Sequence, residues 1–202
     1  MLPFQDFPFE IVLGSSSPRR KELLSALGFR FTVMNKDVDE NYPLSIPRES
    51  VPEYLAHLKS MAFTDDELPR NYLLITADTM VVLDNKPFHK PKDRDQAIRT
   101  LYSLSGQTHK VITGLSLRTV DKQYTFSVES KVSFRVFNLE EIEYYVDTYR
   151  PYDKAGSYGI QEWIGYVGIA SVEGSFYNVM GLPTQRLYQV LSEIYNHREL
   201  LK

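Results

Sequence analysis

Cysteine is absent from the 202 residues, which removes disulfides, thiol catalysis and Cys-ligated zinc. Missing too is any apolar run near the roughly 20 residues that span a bilayer. Residues 1–10 carry two prolines and two acids but no cationic lead-in of a secretory signal. Nor is there an excess of positive charge. With 23 Lys and Arg against 26 Asp and Glu, the net charge of −3 lacks the broad cationic footprint that coating a nucleic acid requires. The expectations are a cytoplasmic protein with no nucleic-acid polymer and no membrane as partner. Repeats, linkers and low-complexity segments are also lacking, so residues 1–202 read as one domain, with 1–9 a short N-terminal extension. What the chain has in quantity is 14 tyrosines and 11 phenylalanines, a signature of an aromatic core or a subunit interface.

The most informative stretch is Ser15-Ser16-Ser17-Pro18-Arg19-Arg20-Lys21, set between the apolar run Ile11-Val12-Leu13-Gly14 and the amphipathic run Glu22 to Gly28. It reads as strand, tight turn and helix. Ser17 suits the N-cap, Pro18 the first helical position, and Gly28 the residue after the helix end. Three cations crowd a first turn that already carries partial positive charge. Either they splay into solvent or an anion such as a phosphate chain sits there.

Further along, Phe29 to Met34 alternates as a half-buried strand, and a polar loop from Asn35 to Arg48 contains Asp37, Asp39 and Glu40. Ser50 and Glu53 have capping-box spacing for a second helix whose stripe is Leu55, Leu58 and Ala62. Lys59 lies beside that stripe, where a snorkelling side chain fits. Tyr72 to Ala77 is an apolar run of strand length, interrupted by Asp78-Thr79 before Met80 to Leu83 resumes. A carboxylate there must be paired, protonated or bound to metal. Asp84-Asn85-Lys86 reads as a hairpin turn. Lys90-Pro91 follows in a loop, then a helix from Asp93, with Gln96 at the reciprocal capping position and Ala97, Ile98, Leu101 and Leu104 as its stripe. Val111 to Val120 and Tyr124 to Val136 form an antiparallel ribbon joined at Asp121-Lys122. Asn138 and Glu141 box the helix that Pro151 stops. Asp153 to Pro183, rich in glycine and aromatics, reads as loops, short strands and ligand walls. A last helix runs over 184–198. Strands and helices intermix, so the expected fold is α/β, one domain with a mixed, twisted central sheet flanked by helices.

Several of these stretches together resemble the Maf family of nucleoside triphosphate pyrophosphatases, from about Ile11 to the last helix. They are Ser15 to Arg20, Asp39-Glu40, Ala77 to Val81, Lys90-Pro91, Ser105 to Gly114, Asp153 to Gln161 and Asn178 to Pro183. Ser15-Ser16, His89 and the N-terminal extension are small departures, none at a charged position. The resemblance implies a fold similar to the Maf and inosine triphosphate pyrophosphatase-like proteins. It also implies metal-dependent hydrolysis of a nucleoside triphosphate to monophosphate and pyrophosphate, house-cleaning of non-standard nucleotides, an association with arrest of cell division, and a homodimer. It puts the active-site acid on Asp78, a metal-side glutamate on Glu40, phosphate-binding cations on Arg19, Arg20, Lys59 and Lys90, and specificity positions on Arg19, Thr79 and Gln161. Ser17, at the helix N-terminus, joins the substrate-binding set.

That assignment is chemically coherent. A triphosphate needs several cations, and four come from three separate segments. Glu40 and Asp78 offer hard oxygens that suit Mg²⁺ or Mn²⁺, and Asp78 is the candidate base for the attacking water, directly or through a metal-bound water. A thymine or uracil imide presents one N–H between two carbonyls, which the Gln161 carboxamide meets with an acceptor and a donor. Thr79 and Gln161 resemble the subgroup acting on dTTP and UTP rather than the one acting on 7-methyl-GTP. The rival readings are a non-catalytic nucleotide-binding regulator of division and a transferase acting on sugar nucleotides.

Overall fold

In the computed structural model, which describes residues 7–196, the first apolar run forms β1 (Glu10–Gly14). Ile11, Val12 and Leu13 are all buried, as a parallel strand covered on both faces requires. β2 (Phe31–Met34) and β3 (Tyr72–Leu83) pair with β1 on either side, both parallel, so that Ile11 lies opposite Phe31 and Leu73. Parallel neighbours need crossovers, and α1 (Pro18–Ala26) and α2 (Val51–Met61) provide them. The remaining elements are β4 (Lys86–Phe88), α3 (Arg94–Leu104), β5 (Thr108–Arg118), β6 (Gln123–Phe134), α4 (Leu139–Tyr149), α5 (Trp163–Gly168), β7 (Ile169–Glu173), α6 (Phe176–Met180) and α7 (Thr184–Asn196). The sheet order is β2-β1-β3-β5-β6-β7, with β4 antiparallel on β3 and β7 antiparallel on β6. β5 and β6 are neighbours joined by four residues, a connection only antiparallel strands can make. The sheet is therefore mixed, as expected. No helix among the described residues is long and apolar enough to cross a membrane.

The chain packs as two compact units. Among the described residues, 7–78, 113–128 and 181–196 make up the first, and 79–112 and 129–180 the second. In the first, Val12, Phe63, Leu68, Tyr72 and Leu74 form one apolar cluster that Met34 packs against, and α7 contributes Leu187, Val190, Leu191 and Ile194 at helical spacing. In the second, α3 and α4 are tied by Arg94, whose guanidinium bridges to Asp147 at 2.6 Å and Glu143 at 3.4 Å. In the same unit His109, Phe134, Phe137 and Tyr158 pack edge to face, with ring centroids 4.9–5.4 Å apart.

Local signals agree with the structure where they are self-contained. Ser17 caps α1 and Gly28, at φ +83°, follows its end. Asp84 and Asn85 both take left-handed φ, the requirement of a two-residue hairpin turn. Other expectations give way. β3 runs unbroken through Asp78 and Thr79. β2 is a mostly exposed edge strand that starts at Phe31. Ser50 does not cap α2, because 48–50 form a 3₁₀ turn that leads straight into the helix; Ser50 is helical at φ −91°, ψ −11° and its side chain makes no cap bond. Glu53 instead accepts from the Thr125 hydroxyl at 2.6 Å, and the buried stripe of α2 is Val51, Pro52, Leu55, Ala56 and Ser60, with Leu58 and Ala62 only half-buried. Ile98 likewise is half-buried, and Gln96 accepts from the Lys92 N–H rather than from that of the capping Asp93. The stretch 153–183 carries α5, β7 and α6, more regular structure than its composition implied. His197 and Arg198, expected in the last helix, lie outside the described residues.

The contrast between the serine-led and the asparagine-led box is measurable. Asn138 accepts from the Glu141 N–H at 2.8 Å and Glu141 accepts from the Asn138 N–H at 3.0 Å. Asn138→Ala is expected to cost about 1 kcal/mol, and Ser50→Ala less than about 0.5 kcal/mol, read from urea midpoints at constant m-value.

Candidate active site

The site begins where β1 ends. Ser15, Ser16 and Ser17 turn the chain into α1, whose first turn contains no acid. The Ser17 N–H donates to Ser15 Oγ at 3.2 Å, and Ser17 Oγ accepts from the Arg20 N–H at 3.4 Å. Arg20 folds back: its Nε donates to the Gly181 carbonyl at 2.8 Å and its terminal nitrogen to Ser15 Oγ at 3.4 Å. Burial pulls the Arg20 guanidinium below its usual range, partly offset by the nearby charges of Asp78 and Glu40. Arg20, in the first turn of α1, is thus within electrostatic reach of two carboxylates.

Those carboxylates share a lysine. Lys59 Nζ lies 2.6 Å from Asp78 Oδ1 and 2.8 Å from Glu40 Oε1, so the ammonium is clasped rather than snorkelling. Periodicity explains the meeting. Thr76 and Asp78 stand on one face of β3, two residues apart, while Ala56 and Lys59 stand on one face of α2, three apart. The Thr76 hydroxyl donates to the Ala56 carbonyl at 2.6 Å in a fully buried contact. That bond fixes α2 on β3 and brings Lys59 to Asp78. Glu40 comes from the polar loop, where Asp39 accepts from the Asn41 N–H at 3.2 Å and folds the chain around it. Of the three fates open to Asp78, pairing is the one observed.

Two converging carboxylate oxygens also answer whether a metal fits. Among the described residues no group of three or more His, Asp or Glu could hold one. A pair of carboxylates does suit Mg²⁺ or Mn²⁺, which keep waters and take further oxygens from substrate phosphates.

Thr79, Lys90 and Gln161 belong to the second unit. Thr79 is half-buried and Lys90 exposed. Gln161 closes a short segment that starts with two left-handed residues, Gly156 at φ +71° and Ser157 at +62°. The hydroxyl of Tyr158 then meets His109 Nε2 at 2.8 Å. Gln161 Oε1 is buried and has no hydrogen-bond partner among the described residues, an acceptor that a donor must satisfy.

The sequence profile described as Maf-like protein matches residues 10–194. The chain belongs to the Maf family. It is 50% identical over 187 residues to a Bacteroides thetaiotaomicron protein, covering 92% of this chain and 96% of the relative. It is 52% identical over 187 residues to one from Porphyromonas gingivalis, at 92% and 94% coverage, and 46% over 182 residues to one from Flavobacterium psychrophilum, at 90% and 93%. Each of these three is named dTTP/UTP pyrophosphatase.

Of the positions that the Maf resemblance singled out, Arg19, Arg20, Glu40, Lys59 and Asp78 fall in the first unit, as does the capping Ser17, and Thr79, Lys90 and Gln161 fall in the second. Sequence reasoning gave no role to Ser15 or Gly181, which orient Arg20. Gly181 acts through its carbonyl, so its side chain offers no signal; the Ser15-x-Ser17 spacing was the available clue for Ser15. Also passed over were Lys154, Glu162 and Tyr145, which surround the Maf segment carrying Gln161.

His109 gives the second unit a pH signature. Burial lowers its pKa to about 4, against about 6.5 in an unfolded chain. Below pH 6.5 the unfolded chain takes up a proton that folded His109 refuses until about pH 4, so this residue's share of stability is full above 6.5 and falls as pH drops. Between pH 7.5 and 5 the loss is on the order of 2 kcal/mol. Urea midpoints across that range should show this slope in the parent and a shallower one in His109→Gln.

Proposed function

We propose that this Maf protein hydrolyses dTTP and UTP to the monophosphate and pyrophosphate and so clears unwanted pyrimidine nucleotides. The observation that carries the reading is the Lys59 ammonium held between Asp78 and Glu40, close enough to the α1 N-terminus for both carboxylates to act on Arg20. Three cations with two carboxylates at a helix start make a site for a polyanion that also has a base at hand. Pure anion binding gains nothing from the acids. Relatives about half identical over nine-tenths of the chain carry the same activity in their names.

In this reading Arg19, Arg20, Lys59 and Lys90 bind the triphosphate, and Ser17 presents the α1 N-terminal N–H groups to it. Asp78 takes a proton from the water that attacks the α-phosphorus. The bond from the α-phosphorus to the bridging oxygen breaks, and pyrophosphate leaves with its charge spread over Lys59, Lys90 and the helix start. Glu40 and Asp78 would hold a Mg²⁺ or Mn²⁺ ion, which when bound neutralises phosphate charge and acidifies water. Thr79 and Gln161 read the base. The partnerless Oε1 of Gln161 accepts the imide N–H of thymine or uracil, and its NH₂ donates to a flanking carbonyl. Cytosine presents an acceptor, N3, where the imide has its N–H, so a carboxamide fixed for the imide edge meets acceptor with acceptor.

Pyrophosphate release from dTTP, UTP, CTP, GTP and 7-methyl-GTP with Mg²⁺ or Mn²⁺ tests this. Release is expected from dTTP and UTP and should fall on the order of 10³-fold in Asp78→Asn, the scale of a lost general base. Binding of a nucleotide with no release from any would overturn it. A chelator should abolish release and added Mg²⁺ restore it. Gln161→Glu replaces donor and acceptor by acceptors alone, and the preference for UTP over CTP should drop about tenfold or more. An unchanged ratio would remove the role given to Gln161.

A further inference from the structure

Within the second unit, the segment that ends in Gln161 is held by an ion pair and a tyrosine that take no part in the proposed chemistry. Lys154 Nζ lies 2.8 Å from Asp153 Oδ1 and 3.1 Å from Glu162 Oε1, with the Lys154 side chain 10% exposed and that of Glu162 18%. The other oxygen of Glu162 accepts from the Tyr145 hydroxyl, and that hydroxyl accepts the Gly159 N–H at 3.0 Å. The result is one relay that converges on Glu162: the Gly159 N–H donates to Tyr145, Tyr145 donates to Glu162, and the Lys154 ammonium pairs with the other oxygen of Glu162.

Three features make this more than a surface ion pair. Glu162 occupies the N-cap position of α5 yet makes no cap bond, so its carboxylate is diverted from the role its position favours. It lies close against Gly159, where an added Cβ would stand 2.7 Å from Glu162 Cδ and 3.0 Å from both carboxylate oxygens, so a side chain there would push the carboxylate aside. And the segment itself resists its shape, because the buried Ser157 sits in the left-handed region that residues with a side chain avoid. A buried ion pair is seldom a net source of stability compared with apolar packing. Its use is to impose an orientation.

What needs orienting is the next residue. The backbone from Gly159 to Glu162 closes on itself, the Glu162 N–H donating to the Gly159 carbonyl at 3.0 Å, so the relay clamps both ends of the turn that presents Ile160 and Gln161. A carboxamide discriminates bases only if its oxygen and nitrogen hold fixed positions. We propose that Lys154, Glu162 and Tyr145 are positioning residues for base selection, setting the amide of Gln161 toward the imide edge of uracil and thymine. This rests on the reading of Gln161 as the base-contacting residue. Tyr145 is suited to the task, since burial and the Glu162 carboxylate raise its pKa and keep its hydroxyl protonated.

The test uses Tyr145→Phe and Glu162→Gln, both close to isosteric, with Gln161→Ala alongside. kcat and KM for UTP and CTP are measured on one preparation of each variant, together with inhibition by pyrophosphate and the melting temperature. The ratio of kcat/KM for UTP over CTP is independent of the fraction of folded enzyme, so instability alone does not move it. Tyr145→Phe and Glu162→Gln should each raise KM for UTP about tenfold, the worth of one well-placed hydrogen bond, and lower the UTP/CTP ratio by about the same factor, with kcat and the pyrophosphate inhibition constant unchanged. Variants that melt earlier but keep the parent ratio would overturn the proposal. If Gln161→Ala loses the ratio while these two keep it, only the positioning role falls. If Gln161→Ala also keeps it, the base reading has failed and this proposal falls with it.

Discussion

A carboxylate in the middle of a twelve-residue, nearly buried strand is the constraint around which the first unit is arranged. Asp78 cannot stand there bare, and the compensating charge has to come from another element. The nearest helix face offers it only if α2 lies flush on β3, which the buried Thr76 to Ala56 hydrogen bond enforces. From that one contact the rest follows by periodicity: two residues along the strand reach Asp78, three along the helix reach Lys59, and the 2.6 Å ion pair closes the arrangement. With its charge met, Asp78 has no need to break the strand, which is why β3 continues where the sequence pattern falters.

Clasping an ammonium between two carboxylates leaves the neighbourhood with more positive than negative charge once Arg19 and Arg20 are counted. Arg20 is oriented in part by neutral oxygens, the Gly181 carbonyl and the Ser15 hydroxyl, which fix direction without cancelling charge. The α1 N-terminus adds the positive end of the helix dipole and has no acid in its own first turn; the negative charges that act on Arg20 come from Asp78 and Glu40 on other elements.

How much of this was legible depended on range. Devices confined to four residues were readable: the Ser17 cap, the Asn138 and Glu141 box, the left-handed Asp84-Asn85 turn. Ser50 and Glu53 had the same spacing as Asn138 and Glu141, yet failed, because a preceding 3₁₀ turn set the backbone of Ser50 before its side chain could act. Spacing names a candidate, and backbone angle decides. The identity of the candidate site residues could be drawn from ordered motifs, but their partners could not. Lys59 looked like a boundary lysine because nothing within a few positions explains it; its partners, Glu40 and Asp78, lie 19 residues away on either side. Tyr145, Glu162 and Lys154 are ordinary residues in sequence and acquire meaning only when α4 and the turn before α5 are brought together.

The two chemistries of the proposed reaction are kept on different physical terms. Phosphate handling, as proposed, is ionic, drawn from Arg19, Arg20 and Lys59 of the first unit with Lys90 of the second, charges that attract any polyphosphate. Base reading in the second is a matter of neutral donors and acceptors, where an unmet group costs more than a met one gains. A charge cluster tolerates small displacements because Coulomb energy falls slowly with distance, whereas an amide displaced or flipped exchanges donor for acceptor and inverts its preference. On the proposed role of Gln161, that difference gives a use to the buried contacts along its segment: the His109 and Tyr158 contact, the left-handed turn at 156–157 and the Lys154, Glu162 and Tyr145 relay. Selectivity of the proposed kind requires rigidity, and the relay through Tyr145, Glu162 and Lys154 is what holds the turn before Gln161.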